Sequence, residues 1–98
     1  MPYLIETWDK PDHQPVRQQA RADHLRYLEA IAPRLIACGA KLHDDGGDAG
    51  GGIYIVDVDT RAEAEAIIAA DPFTAVDLFA RVEVRRWRKA YVDGVCRL

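Results

Sequence analysis

The sequence lacks most of the features that mark a specialised class of protein. It has only two cysteines, Cys38 and Cys96, far apart and in no CxxC or Cys/His spacing. Neither a zinc site nor a disulfide framework is therefore indicated, and both read as reduced thiols. No apolar run approaches the ~20 residues that cross a bilayer, and Met1 to Lys10 carries charges where a secretory signal needs an apolar stretch. A cytoplasmic protein without membrane attachment is expected. An excess of basic charge is also missing: 13 Lys and Arg stand against 16 Asp and Glu, a formal net charge of -3. Binding to nucleic acid or anionic lipid, which rests on a basic field, is disfavoured. There is no internal repeat.

What is present is an ordinary globular composition, 49% hydrophobic and 30% charged over 98 residues, which predicts a single domain spanning residues 1–98. A chain of this length buries roughly 60 to 65% of its unfolded surface and has little core to spare, a shortage that a partner subunit relieves.

Tyr3 to Trp8 mixes aromatic and β-branched residues and reads as a first strand, closed by turn chemistry at Asp9, Lys10, Pro11 and Asp12. From Pro15, residues Ala20, His24, Leu28 and Ile31 fall on one helical stripe, with Arg17, Gln18, Arg21, Asp23 and Arg26 largely outside it. Pro33 should end that helix. Arg34 to His43 reads as strand two, Asp44 to Gly52 as a flexible hairpin loop, and Ile53 to Val58 as strand three, apolar on both faces and so central. Thr60 and Glu63 have capping-box spacing before a helix that stops at Asp71-Pro72. Phe73 to Asp77 suits a short turn, and Phe79 to Tyr91 alternates as strand four, with Val82 and Val84 on one side and Arg81, Glu83, Arg85 and Trp87 on the other. The order βαββαβ predicts a ferredoxin-like α+β sandwich with both helices on one sheet face. The second face, with Trp87 on it, is expected to pack against another copy, giving a homodimer.

Three segments, Arg21-x-x-His24-Leu25-x-Tyr27-Leu28, Ala70-Asp71-Pro72-Phe73 and Val82-Glu83-Val84-Arg85-x-Trp87, together resemble the YCII (YciI-like) family over nearly the whole chain, Tyr3 to about Trp87. The resemblance implies a dimeric α+β barrel and an active site built on a histidine and an aspartate, which fall here on His24 and Asp71. Some members of that family look like lyases or dehydrochlorinases acting on ring compounds, and many have no assigned reaction. The pattern departs at Gly39-Ala40, where such proteins often carry Gly-Pro.

From the residues alone, His24 on the inward stripe reads equally as a packing histidine or a proton-transfer group. Asp71, placed after a helix C-terminus, needs a donor partner, and reads otherwise as a turn-stabilising side chain. A hydrogen bond between the two is expected. Arg21, one turn before His24, is a candidate for an anionic substrate group against a default of simple solvation, and Phe73 and Trp87 are candidates for pocket walls against core or interface packing. The glycine-rich stretch lacks the Lys-Ser/Thr of a phosphate loop. His43-Asp44-Asp45 is contiguous and so unsuited to one ion, and no metal site is expected. The run Arg81, Arg85, Arg86, Arg88 and Lys89 reads as a solvated strand face.

These readings converge on a small-molecule protein without a cofactor, a lyase or isomerase in which His24 moves a proton on a small, ring-shaped or anionic substrate while Asp71 orients the imidazole. The alternatives are a non-catalytic ligand-binding or accessory dimer, and, by fold analogy alone, a haem-binding or cofactor-free monooxygenase.

Overall fold

The computed structural model describes residues 1–98. Strand β1, Tyr3–Asp9, alternates as its sequence requires: Tyr3, Ile5 and Thr7 are buried, and Leu4, Glu6 and Trp8 lie on the other face. It pairs antiparallel with both β3 (Asp48–Val56) and β4 (Phe79–Arg86), Ile5 facing Tyr54 on one side and Val84 on the other. With β2 (Leu35–Leu42) on the far edge the order is β2-β3-β1-β4, a ferredoxin-like α+β arrangement. Strand three is internal, as its two apolar faces predict.

Helix α1, Gln14–Ile31, has proline in its first turn and gives way at Ala32–Arg34 to a 3-10 turn that contains Pro33. Helix α2, Arg61–Ala69, starts at Thr60, whose hydroxyl accepts from the Glu63 amide at 3.2 Å. Ala64, Ile67 and Ile68 of α2 and Ile31 of α1 pack onto Tyr3, Ile5, Tyr54 and Val56 of the sheet. Full burial of a side chain such as Ile5 or Ile67 contributes about 1.5–3 kcal/mol. A smaller cluster, Ala20, Phe73 and Leu78, supports the far end of α1.

Leu4, Ile53 and Ile55, on the opposite sheet face, take no part in this core. On that face Trp8 carries two cations against its ring, Lys41 Nζ at 4.2 Å and Arg81 Cζ at 4.7 Å, and Lys41 also reaches Glu6 at 3.2 Å. The Arg81 and Arg85 side chains pair with Glu83.

The structure corrects three local expectations. Gly50, Gly51 and Gly52 are not loop: β3 begins at Asp48, and the turn is confined to the residues before it, where the His43 amide bonds Gly47 O at 2.8 Å. The glycines are needed by packing, because Gly51 has φ +121° and a Cβ there would lie 1.9 Å from Thr7 O. Residues Phe73 to Asp77 are not a plain turn, since Pro72–Ala75 forms a short helix, α3. Strand four stops at Arg86 instead of Tyr91. Beyond it Tyr91–Val92 (β5) and Val95–Cys96 (β6) make a separate hairpin around Asp93 and Gly94, both at positive φ, the two-residue turn that an Asp-Gly pair favours. Trp87 lies just past the end of β4, its amide donating to Pro2 O at 3.0 Å, and β1 places a second tryptophan, Trp8, on the open face. No helix is long and apolar enough to cross a membrane.

Candidate active site

The site begins where α2 ends. Pro72 disfavours helical backbone at the preceding residue, so Asp71 is extended (φ -66°, ψ 133°) and becomes the cap of α3, its Oδ1 accepting from the Phe73 amide at 2.8 Å. The aspartate is thus at a helix start, where negative charge is favoured, as well as after a helix end. Its carboxylate also accepts from Tyr54 Oη at 2.8 Å and from His24 Nδ1, 2.8 Å from Oδ2. Asp71 is 0% exposed. Removing a carboxylate from water costs several kcal/mol unless donors replace the water, and three donors converge here.

Those contacts fix the imidazole. A carboxylate can only accept, so Nδ1 of His24 carries the proton and Nε2 of the neutral ring carries the lone pair. Nε2 has no partner within the protein, and no fully buried side-chain nitrogen is left without one. It is therefore accessible from the cavity that His24 lines, a space of ≈ 220 Å³ between α1 and the β2–β3 edge. The Phe73 ring stacks on the imidazole with centroids 4.0 Å apart and planes 16° apart, and Tyr54 meets it edge-on. The ring is held on two sides and hydrogen-bonded on a third.

Burial, then the Asp71 charge and hydrogen bond, hold the Tyr54 phenol far above its usual pKa. It remains a donor to Asp71. Cys38 is exposed as a residue on the edge strand, yet pairs with Tyr54 on the helix-facing side and lines the cavity. Burial of its thiol and the nearby Asp71 charge raise its pKa from 9.0 to about 11. The floor is made by Thr7, whose Oγ1 accepts from the Gly52 amide at 2.9 Å.

Of the five residues singled out from sequence, His24, Phe73 and Arg21 line this cavity, and Asp71 lies directly behind His24. Trp87 does not; it lines a separate depression with Met1, Arg86 and Arg88. Arg21 is exposed and makes no ion pair. Arg17, which the sequence reading left outside the inward stripe, is only 9% exposed. It is held by Asp9 through Nε at 2.6 Å and Nη2 at 3.1 Å and lies 4.7 Å from the Phe73 ring centroid. Burial opposes its charge, but the bond to Asp9 and the Asp9 charge outweigh that and raise its pKa. The signal was available: Arg17, Ala20, His24 and Ile31 are spaced 3, 4 and 7 apart, one face of the helix. Tyr54 was legible only as a residue on the same strand face as Val56. No group of three or more His, Cys, Asp or Glu side chains is arranged to hold a metal ion.

The sequence profile of the YCII-related domain matches residues 1–88. Comparison with curated proteins gives no match. Among solved structures, the chain is similar to 5-chloro-2-hydroxyhydroquinone dehydrochlorinase (TftG) from Burkholderia phenoliruptrix, solved in complex with 2,5-dihydroxybenzoquinone. The identity is 33%, the match covers 90% of this chain and 94% of that one, and the TM-score is 0.83. A protein from Agrobacterium tumefaciens shares the fold at 18% identity, 97% and 100% coverage and TM-score 0.54. An antibiotic biosynthesis monooxygenase does so at 15% identity, 91% and 100% coverage and TM-score 0.53.

Proposed function

The chain belongs to the YCII-related family, and from that premise we propose that it is a cofactor-independent lyase or isomerase acting on a small hydroxylated ring compound, with His24 as the acid–base group and Asp71 as its orienting partner. The observation that carries this reading is the buried Asp71–His24 hydrogen bond, which leaves Nε2 facing the cavity with its lone pair free. The similarity to a dehydrochlorinase supports a ring substrate with a leaving group.

The reaction is a proton relay. Nε2 removes a proton from a ring hydroxyl and returns it to the ring carbon that bears the leaving group, making that carbon tetrahedral. Loss of a proton from the hydroxyl across the ring then sends an electron pair inward, and the leaving group departs with its own bonding pair. A halogenated hydroquinone would yield a quinone and HX with no outside oxidant. Asp71 stays ionised throughout and stabilises the imidazolium formed at each transfer.

The functional unit is a homodimer joined through the open sheet face. Leu4, Trp8, Ile53 and Ile55, framed by Lys41, Glu6 and Glu83, support that reading, since an apolar centre with a charged rim is the usual anatomy of an interface. Sedimentation equilibrium at micromolar concentration should return twice the chain mass, and a monomer would rule the dimer out.

Chloride release and quinone absorbance from 5-chloro-2-hydroxyhydroquinone and related halogenated hydroquinones test the chemistry. Turnover that His24→Ala lowers by about 10²–10⁴ in kcat, with ligand affinity largely kept, supports it. Equal loss of binding and rate, or no turnover with any such ring, would favour a ligand-binding protein instead.

A further inference from the structure

The cavity has a second built-in polar group besides the imidazole. Arg17 sits two helical turns before His24 on the same face of α1 and is nine-tenths buried. Its Nε and Nη2 are both taken by Asp9, itself buried to 5% side-chain exposure. A bidentate clamp of this kind fixes the plane of the guanidinium. Nη1 is different: it makes no hydrogen bond within the protein, and since no fully buried side-chain nitrogen goes without a partner, it keeps accessible surface on a residue that lines the cavity. The Phe73 ring lies 4.0 Å from the His24 ring centroid and 4.7 Å from Arg17 Cζ. One aromatic side chain therefore spaces the cation from the acid–base group.

We infer that Arg17 is the anion receptor of this cavity, holding a negatively charged oxygen of a planar ligand on Nη1 and so selecting ionised over neutral ring compounds. The inference rests on the reading of this cavity as the substrate site. Arg21 also lines the cavity, but nothing fixes its guanidinium, and an unfixed surface arginine loses side-chain entropy on binding that the clamped Arg17 has already given up. For a hydroxylated ring, an ionised oxygen on Arg17 leaves another ring position for Nε2 of His24. It also favours the state of the ring that expels a leaving group, because charge that develops on that oxygen is met by a fixed donor.

The test compares two planar six-membered rings that share a para pair of oxygens, with no turnover required. Each hydroxyl of 2,5-dihydroxybenzoquinone is conjugated to a carbonyl, a vinylogous acid that is ionised at neutral pH, whereas hydroquinone is a simple phenol and neutral there. Calorimetric titration at pH 7 should show the wild-type protein preferring the anionic probe by at least about tenfold, the scale of one charge-assisted hydrogen bond. Arg17→Gln should bring the ratio close to one. Because that change leaves Asp9 buried and unpaired, the Asp9→Asn, Arg17→Gln double variant provides a folded background free of that charge, with the same expected ratio. Arg21→Gln should keep the preference, and so should His24→Ala, even though the latter removes the proposed chemistry. A preference that survives in the double variant, that vanishes instead in Arg21→Gln, or that is missing from the wild type overturns the assignment to Arg17. A wild-type protein that shows the preference yet turns over no halogenated hydroquinone counts against the proton relay alone.

Discussion

Replacing Asp71 by asparagine should change which nitrogen of His24 carries the proton. Three donors converge on the native carboxylate: the Phe73 amide on Oδ1, Tyr54 Oη on Oδ2, and His24 Nδ1 nearest Oδ2. An asparagine must turn its NH₂ toward one of them. The backbone amide of Phe73 cannot become an acceptor, so the carboxamide oxygen must stay on that side and the NH₂ must face Tyr54 and His24. The phenol can rotate and accept; His24 Nδ1 lies 2.8 Å from the position of the NH₂ and 3.0 Å from that of the oxygen, and it accepts from the nearer NH₂ only by moving its proton to Nε2. The cavity-facing nitrogen then becomes a donor, and the base is lost. Exchanging charge-assisted hydrogen bonds for neutral ones costs about 1 kcal/mol each, or ~2–3 kcal/mol in all. For a chain of this size that is a fall in Tm of roughly 10–20 °C, with the fold retained. The assay is ¹⁵N–¹H correlation of the imidazole, which distinguishes protonated from unprotonated ring nitrogens without any substrate. The wild type should show Nδ1–H and the variant Nε2–H, with turnover reduced by about 10²–10⁴. A folded Asp71→Asn protein that kept the Nδ1–H form would refute the reasoning.

Phe73→Ala removes a ring that is 1% exposed and that stacks on His24; a loss of about 3–5 kcal/mol in urea unfolding is expected, and a loss below ~1 kcal/mol would mean the corner is not packed as described. Gly51→Ala should fail to give folded protein, since a Cβ would meet Thr7 O at 1.9 Å, whereas Gly39→Ala, with nothing within 4 Å, should melt close to wild type; comparable melting of both would contradict the strand contact. Cys38 has its folded pKa raised to about 11 from 9.0, so its contribution to stability is complete below about pH 9 and is lost as pH rises through 11. Stability should therefore decline less steeply over that window in Cys38→Ala, and iodoacetamide at pH 8 should modify Cys96 before Cys38; the reverse order would show an unperturbed thiol.

The topology was legible because its signals are periodic: alternation in Tyr3 to Trp8, the 3–4 stripe of α1, and the Thr60–Glu63 spacing each act locally. The His24–Asp71 bond was legible through the family motif, and its positional logic was only half right, since Asp71 caps the helix that follows it. What failed was long-range. Gly50–Gly52 resembles a loop by composition, and only the closeness of β1 explains it as strand. Arg17 looked solvated because a charge on an inward face contradicts hydrophobic patterning until Asp9, eight residues earlier, is brought against it. The hairpin after Arg86 was missed although Asp93-Gly94 marks it, because the apparent alternation ran on through Trp87.

The burial of the dyad divides the cavity wall into two kinds of position. Asp71, Tyr54, Phe73 and Thr7 are closed off from solvent and bound to one another or to backbone, so a change at any of them should disturb both the fold and the proposed proton transfer. Arg21, Leu25 and Ala40 line the same space from exposed positions, where substitutions usually move stability by less than about 0.5 kcal/mol. Under the proposed function, selectivity can therefore drift, or be engineered, at the outer wall while the His24–Asp71 pair stays intact, and a library confined to those three positions should yield altered ring preferences from proteins that still fold.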